Sequence, residues 1–245
     1  MGSELERTDQ REISINVEVG TGAFLPGGKI AFGLKRAWQH RANDYLESVA
    51  AAAGSDEDRI VEAVAEGGEF ADVFAHGLQA LTGPSDVTYR ETFAAFVANS
   101  LHDPAKIDIT AFLLDKFSKL RPPHVRIFWW YVALEGMRVR QESQKGQRGK
   151  LAIEAGIVAL HLLSRGGLIS SSTVGVDALR EITALPKGIL ESLIRDLINE
   201  GLMHKNSESL ALTELGELAV QLIGEDGLQR IFLILHSAKG TQEIE

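Results

Sequence analysis

Proton transfer, metal binding, nucleophilic attack and phosphate binding each need particular side chains at particular spacings, and in this chain those side chains are scattered. The seven histidines (His40, His76, His102, His124, His161, His204 and His236) form no H-x-H or H-E-x-x-H group, the spacings that bring two imidazoles to one metal. His124, starting a helix behind Pro123, reads as a packing residue, and His161 as a satisfied core residue. The 245 residues include no cysteine, which excludes disulfides, thiolate metal sites and thiol nucleophiles and suits a reducing compartment. Ser170, Ser171, Ser172 and Thr173 lack the G-x-S-x-G setting of a nucleophile elbow. Gly22, Gly28 and Lys29 approach a phosphate-binding loop, but Ala23 stands where the first glycine belongs and Ile30 where a hydroxyl would hold magnesium. Asp56, Glu57 and Asp58 fall in the first turn of a helix, where carboxylates meet the positive end of its dipole. These spacings give no catalytic residue, no cofactor and no metal site, so the chain reads as non-enzymatic.

What remains is binding chemistry, and charge is its first constraint. The net charge of −9 is uneven. Residues 1–136 carry 13 basic and 20 acidic side chains, and residues 151–245 carry 7 and 13. Between them Arg138, Arg140, Lys145, Arg148 and Lys150 face Glu142 alone. A duplex-binding protein shows a basic face, and here only this short middle segment is basic. The second candidate surface is aromatic. Phe128, Trp129, Trp130 and Tyr131 are consecutive, and four consecutive helix positions point in four directions, so one core is not expected to take them all. Trp129 and Trp130 are therefore candidates for a protein interface. The run Ile231-Phe232-Leu233-Ile234-Leu235 is apolar on every side, so Ile231, Phe232 and Ile234 must be covered by the chain or by another copy.

The elements that would position these residues follow from periodicity. Residues 1–27 form an irregular, glycine-rich lead-in, with Ile13, Ile15 and Val17 alternating as in a short strand. A long helix is predicted over 29–53, with Ile30, Leu34, Ala37, Arg41, Tyr45 and Val49 on one stripe. Gly54 ends it, and Ser55 with Asp58 makes a capping-box-like start for the next helix. Phe70, Val73, Phe74, Leu78 and Leu81 mark another helix, and Ser85 caps one carrying Phe93, Phe96, Val97 and Leu101. Amphipathic 108–120 follows, and Pro122-Pro123 separates it from a helix over 124–141. These six or so helices make a helical domain over 28–140. Residues 141–149, without one apolar side chain, read as a basic polar linker. No signal peptide opens the chain and its apolar runs are too short for a membrane span, so a cytoplasmic protein is expected.

Beyond the linker the pattern sharpens. An all-round apolar helix is predicted over 151–164, a short helix over 176–183 and a tight connection at Ala184-Leu185-Pro186. A helix over 187–200 has Leu190, Leu193, Ile194 and Leu197 inward, and Gly201 stops it with positive φ. Two short strands, 202–204 and 209–211, flank Asn206-Ser207-Glu208, and Thr213 caps a last helix to Ile223. The stretch ALPKGILESLIRDLINEGLMHKNSESLALTELGELAVQLI resembles the winged helices of bacterial transcription regulators, through "LP…L..LI..L…GL" and "L.LTE.G". The fold class is thus mainly α, an N-terminal helical domain followed by a winged-helix domain over 150–223 and a C-terminal extension over 224–245. The glycine-rich lead-in, "W..R…YL" and "HVRIF" are similar to a group of uncharacterised bacterial helical proteins, a likeness that implies no activity.

The resemblance implies that 187–200 is a recognition helix entering the major groove. Lys187, Ser192, Arg195 and the wing's Lys205 would then join Arg138, Arg140, Lys145, Arg148 and Lys150 on double-stranded DNA. Yet the outward residues of that helix, Lys187, Gly188, Glu191, Ser192, Arg195 and Asp196, carry two bases and two acids, and Glu208 offsets His204 and Lys205 on the wing. Winged helices also serve as protein-interaction modules. The charge balance favours a protein partner or self-association; a DNA-binding regulator is the alternative. No membrane or metal partner is expected.

Overall fold

The computed structural model describes residues 28–81, 86–143, 176–206 and 209–240. Helices α1 (Gly28–Ala53), α2 (Glu57–Ala65), α3 (Glu69–Ala80), α4 (Val87–His102), α5 (Ile107–Ser118) and α6 (Pro122–Ser143) come first, with a 3-10 turn at Pro104–Lys106 before α5. Then follow α7 (Val176–Thr183), α8 (Lys187–Asn199), strands β1 (Met203–Asn206) and β2 (Ser209–Leu212), and α9 (Glu214–Gly240). The described chain is mainly helical, as expected, and β1–β2 is the one sheet within it. The lead-in 1–27, the helix expected over 151–164 and linker residues 144–149 lie outside the described residues, while 141–143 continue α6.

Local chemistry sets the helix starts. The Asp56 carboxylate accepts from the Arg59 amide at 2.9 Å, so the cap of α2 falls one residue after the Ser55 expected from the sequence. Asp86 does the same for Tyr89 at 2.9 Å and also meets Arg126 at 3.0 Å, which ties the start of α4 to α6. Pro122 and Pro123 lie inside the first turn of α6, where no amide proton is needed and a fixed φ is already helical.

α4 is the central post. Eleven of its sixteen residues are buried, because α1, α3, α5, α6 and α9 all pack on it, and buried polar side chains among them, Glu91, Thr92 and Ser100, are hydrogen-bonded. α6 is enclosed in the same way by α4, α7, α8 and α9. That corrects the expectation for its aromatic run. Phe128, Trp129, Trp130 and Tyr131 are all buried, with Phe128 against Phe117 of α5, Trp129 on Thr92 of α4 and Tyr131 on Leu210 of the hairpin. Edge-on ring contacts run from Phe96 to Phe117 (5.0 Å), Phe128 (5.5 Å) and Trp129 (4.8 Å), joining α4, α5 and α6. The Trp129 indole donates to Thr92 Oγ1 at 2.9 Å, and that hydroxyl donates to the Thr88 carbonyl at 2.7 Å. The Tyr89 hydroxyl sits 3.4 and 3.2 Å from the carbonyls of Phe117 and Leu120, and burial pushes its pKa up to about 12.

The last helix does not stop at Ile223. α9 continues to Gly240 through a kink at Gly224, whose φ of 68° and ψ of −179° lie in a region essentially confined to glycine. The arm beyond it, 225–240, folds back onto α4. Leu228, Ile231, Phe232 and Leu235 are buried in the cluster that also holds Tyr45, Phe93, Trp129, Leu190 and Leu210. Residues 228–235 of the expected extension thus contribute to the chain's own core.

Candidate functional site

Helix α8 carries the residues singled out for binding. Leu190, Ile194 and Leu197 are buried along one stripe, packed on α6 and α7. Ala184, at φ 53°, turns the chain between α7 and α8. Side chains from α5 and α6 hold the back of the helix. His124 Nδ1 accepts from the Arg121 amide at 3.1 Å, so Nε2 bears the proton it donates to Asp196 at 2.9 Å. Lys116 lies 3.8 Å from Glu200 at the other end. The cross-links fix α8 against the helical body, leaving its far side to solvent.

The hairpin is held equally firmly. Strand β1 pairs antiparallel with β2 from Met203 opposite Leu212 to Asn206 opposite Ser209; each strand is one residue longer than the sequence indicated, and β1 starts one residue later. The Tyr131 hydroxyl of α6 donates to the Leu210 carbonyl at 2.7 Å. Gly201 has φ 77°, as its place after α8 required. Thr213 Oγ1 donates to the Gly201 carbonyl and accepts from the Gly216 amide, while the Thr213 amide donates to Leu202 O at 3.2 Å. A Cβ at Gly216 would collide with that same Leu202 carbonyl. The "LTE.G" pattern therefore has a physical content: threonine knits hairpin to helix, and glycine permits the approach.

Gly216→Ala should accordingly lower stability by about 2–3 kcal/mol, because a backbone carbonyl cannot swing aside as a side chain would. Urea unfolding measures it, with exposed Gln221→Ala as the control, expected within about 0.5 kcal/mol of the parent. Equal midpoints for Gly216→Ala and the parent would refute the close approach.

The outward face of α8 presents Lys187, Gly188, Ile189, Glu191, Ser192 and Arg195, all exposed, whereas Asp196, expected on that face, is exposed but turned to His124 of α6. Lys187 is 3.9 Å from Glu191 one turn on. Ile189, which the sequence reading passed over, is 52% exposed at the start of the helix. Its signal was available: it precedes Leu193 and Leu197 by one and two steps of four, at the edge of the buried stripe. Lys205 is exposed on β1. Arg195 and Lys205 have no carboxylate partner among the described residues.

Other candidates are placed differently. Arg138 and Arg140 lie on the last turns of α6, and Lys145, Arg148 and Lys150 lie outside the described residues. Trp129, Trp130, Ile231 and Phe232 are buried within the chain and Ile234 is half-buried, so the face they were expected to offer a partner is taken up by the chain's own packing. Among the described residues no three His, Asp or Glu side chains are grouped as a metal site, and no helix is long and apolar enough to cross a membrane. No protein-family model, curated protein or solved structure matches the chain.

Proposed function

We propose that residues 150–223 are a winged helix and that the chain is a non-enzymatic interaction or assembly protein, docking through the outward face of α8. The order α7, turn, α8, two-stranded hairpin, α9 supports the first part. Ile189 carries the second. A half-exposed isoleucine occupies the end of the helix that would enter a DNA groove, and the one lysine beside it is engaged by Glu191. Phosphate binding needs unpaired cations there, whereas a protein contact needs an apolar anchor with a polar rim.

A photoreactive amino acid at position 189 tests this in cells. Adducts of one defined protein mass are expected, whether partner or second copy, and a probe at exposed Asp177 should not give them. Absence of any adduct at 189 would refute docking through this face.

A second reading, a DNA-binding regulator, draws support from exposed Arg195 and Lys205. It expects a random-sequence duplex to be retarded at low salt, steeply less so as salt rises, and the shift to vanish with Arg195→Glu. Unretarded duplex at low salt would dispose of it.

A further inference from the structure

We infer that Gly224 is a joint that selects between a closed monomer and a dimer in which two copies of this chain exchange their C-terminal arms. The inference is independent of the α8 face. It begins with backbone geometry. Helical residues precede and follow Gly224, which alone within α9 departs from helical φ and ψ. With helical angles at that residue, α9 would run unbroken over 27 residues, roughly 40 Å. An unbroken helix carries the arm away from its own α4.

The arm cannot stay in water once displaced. Leu228, Ile231, Phe232 and Leu235 are all buried in the closed chain, and Arg230 donates to nearly buried Glu91 of α4 at 2.7 Å. Gly227 also packs on α4, where a Cβ on it would stand in ordinary contact with Ala95 Cβ at 3.4 Å. A second copy with its own arm displaced offers the same α4 surface, so reciprocal exchange restores every one of these contacts. Closed and exchanged forms then differ chiefly at residue 224. Glycine tolerates the kink, whereas any side chain there is strained in the closed form and relaxed in the open helix. Exchange of an identical element through one hinge is the low-cost route to such dimers.

The experiment has two arms. Light scattering on purified Gly224→Ala should show the mass moving from one chain to two, with the helical circular dichroism retained. A folded monomer at all concentrations would overturn the inference. The second arm co-expresses two differently tagged chains in the Gly224→Ala background, one carrying Glu91→Arg and the other Arg230→Glu. Each alone opposes like charges across the contact, but on exchange each arm meets the other chain's α4 with opposite charge. A soluble one-to-one heterodimer, with poor recovery of either chain alone, is expected. Equal recovery of dimers from each chain alone, or no heterodimer on co-expression, would refute exchange. Should Gly224→Ala be insoluble by itself, the same co-expression with glycine retained at 224 decides by the same outcomes.

Discussion

Gly77→Ala should lower the unfolding free energy by about 3 kcal/mol, although helix propensity alone favours alanine by about 1 kcal/mol. The sign is decided by Tyr45. Gly77 lies within α3, and a Cβ there would overlap the Tyr45 hydroxyl while standing 3.0 Å from Cζ and 3.3 Å from a Val97 methyl. Tyr45 has no room to retreat, since it is fully buried against Phe74 with ring centroids 5.2 Å apart. Its hydroxyl has no hydrogen-bond partner among the described residues, and burial drives its pKa far above the ordinary phenol range. That orphan group makes the test specific. Tyr45→Phe alone removes an unsatisfied buried hydroxyl and should be neutral or stabilising by up to about 1 kcal/mol. Combined with Gly77→Ala it should recover more than half of the loss, Cζ remaining as the closest atom. Urea midpoints of the four chains give the coupling directly. Additive effects, with no rescue by phenylalanine, would mean that Gly77 is needed for some other reason.

The same pair shows where sequence reading reaches its limit. Tyr45 was legible as a core position of the first long helix, because period-3.6 spacing is a local signal. That its hydroxyl rests on a glycine 32 residues away was not, since contact between helices leaves no mark in local spacing. The region 176–216 was read almost to the residue, because its signals are local: Leu185-Pro186 before α8, Gly201 after it, Thr213 at the start of α9. The exposed face of α8 was legible to the same extent. Lys187, Ser192 and Arg195 are exposed as the helical pattern required, whereas Ile189 was overlooked at the stripe's edge.

The burial of all four aromatic residues of α6 has a plain physical cause. A helical wheel assumes one buried face, and both α4 and α6 have several. For the C-terminal arm, a sign did exist. Gly224 followed by Glu225 and Asp226 looks like a fresh helix start, and the apolar spacing of Leu228, Ile231, Phe232 and Leu235 is helical. What no local pattern could supply was the destination of the arm, because α4 lies more than a hundred residues upstream.

Arg230→Met should cost about 2 kcal/mol, and more than Glu91→Leu, although both remove the same ion pair. Exposed pairs contribute about 0–1 kcal/mol, whereas stripping one partner from a buried pair costs about 3–5 kcal/mol. This pair lies between those limits, with side chains 31% and 8% exposed. The asymmetry of exposure sets the order. Without Arg230 the buried Glu91 carboxylate keeps, among the described residues, the Ser48 hydroxyl at 2.7 Å and Arg90 at 3.8 Å. Without Glu91 the Arg230 guanidinium turns to water, and the Ser48 hydroxyl retains the Asp44 carbonyl at 2.9 Å. Methionine keeps the packing of the arginine stem, so the loss reports charge rather than volume. The double substitution Glu91→Leu with Arg230→Met leaves no charge stranded. It should therefore be more stable than Arg230→Met alone, with a coupling of about 1–2 kcal/mol in the cycle. A buried carboxylate is also poorly screened by salt, so the order of the two single variants should persist at molar sodium chloride. Equal costs for the two, vanishing at high salt, would show that the pair works as a surface contact and that the arm is held to α4 by its apolar residues alone.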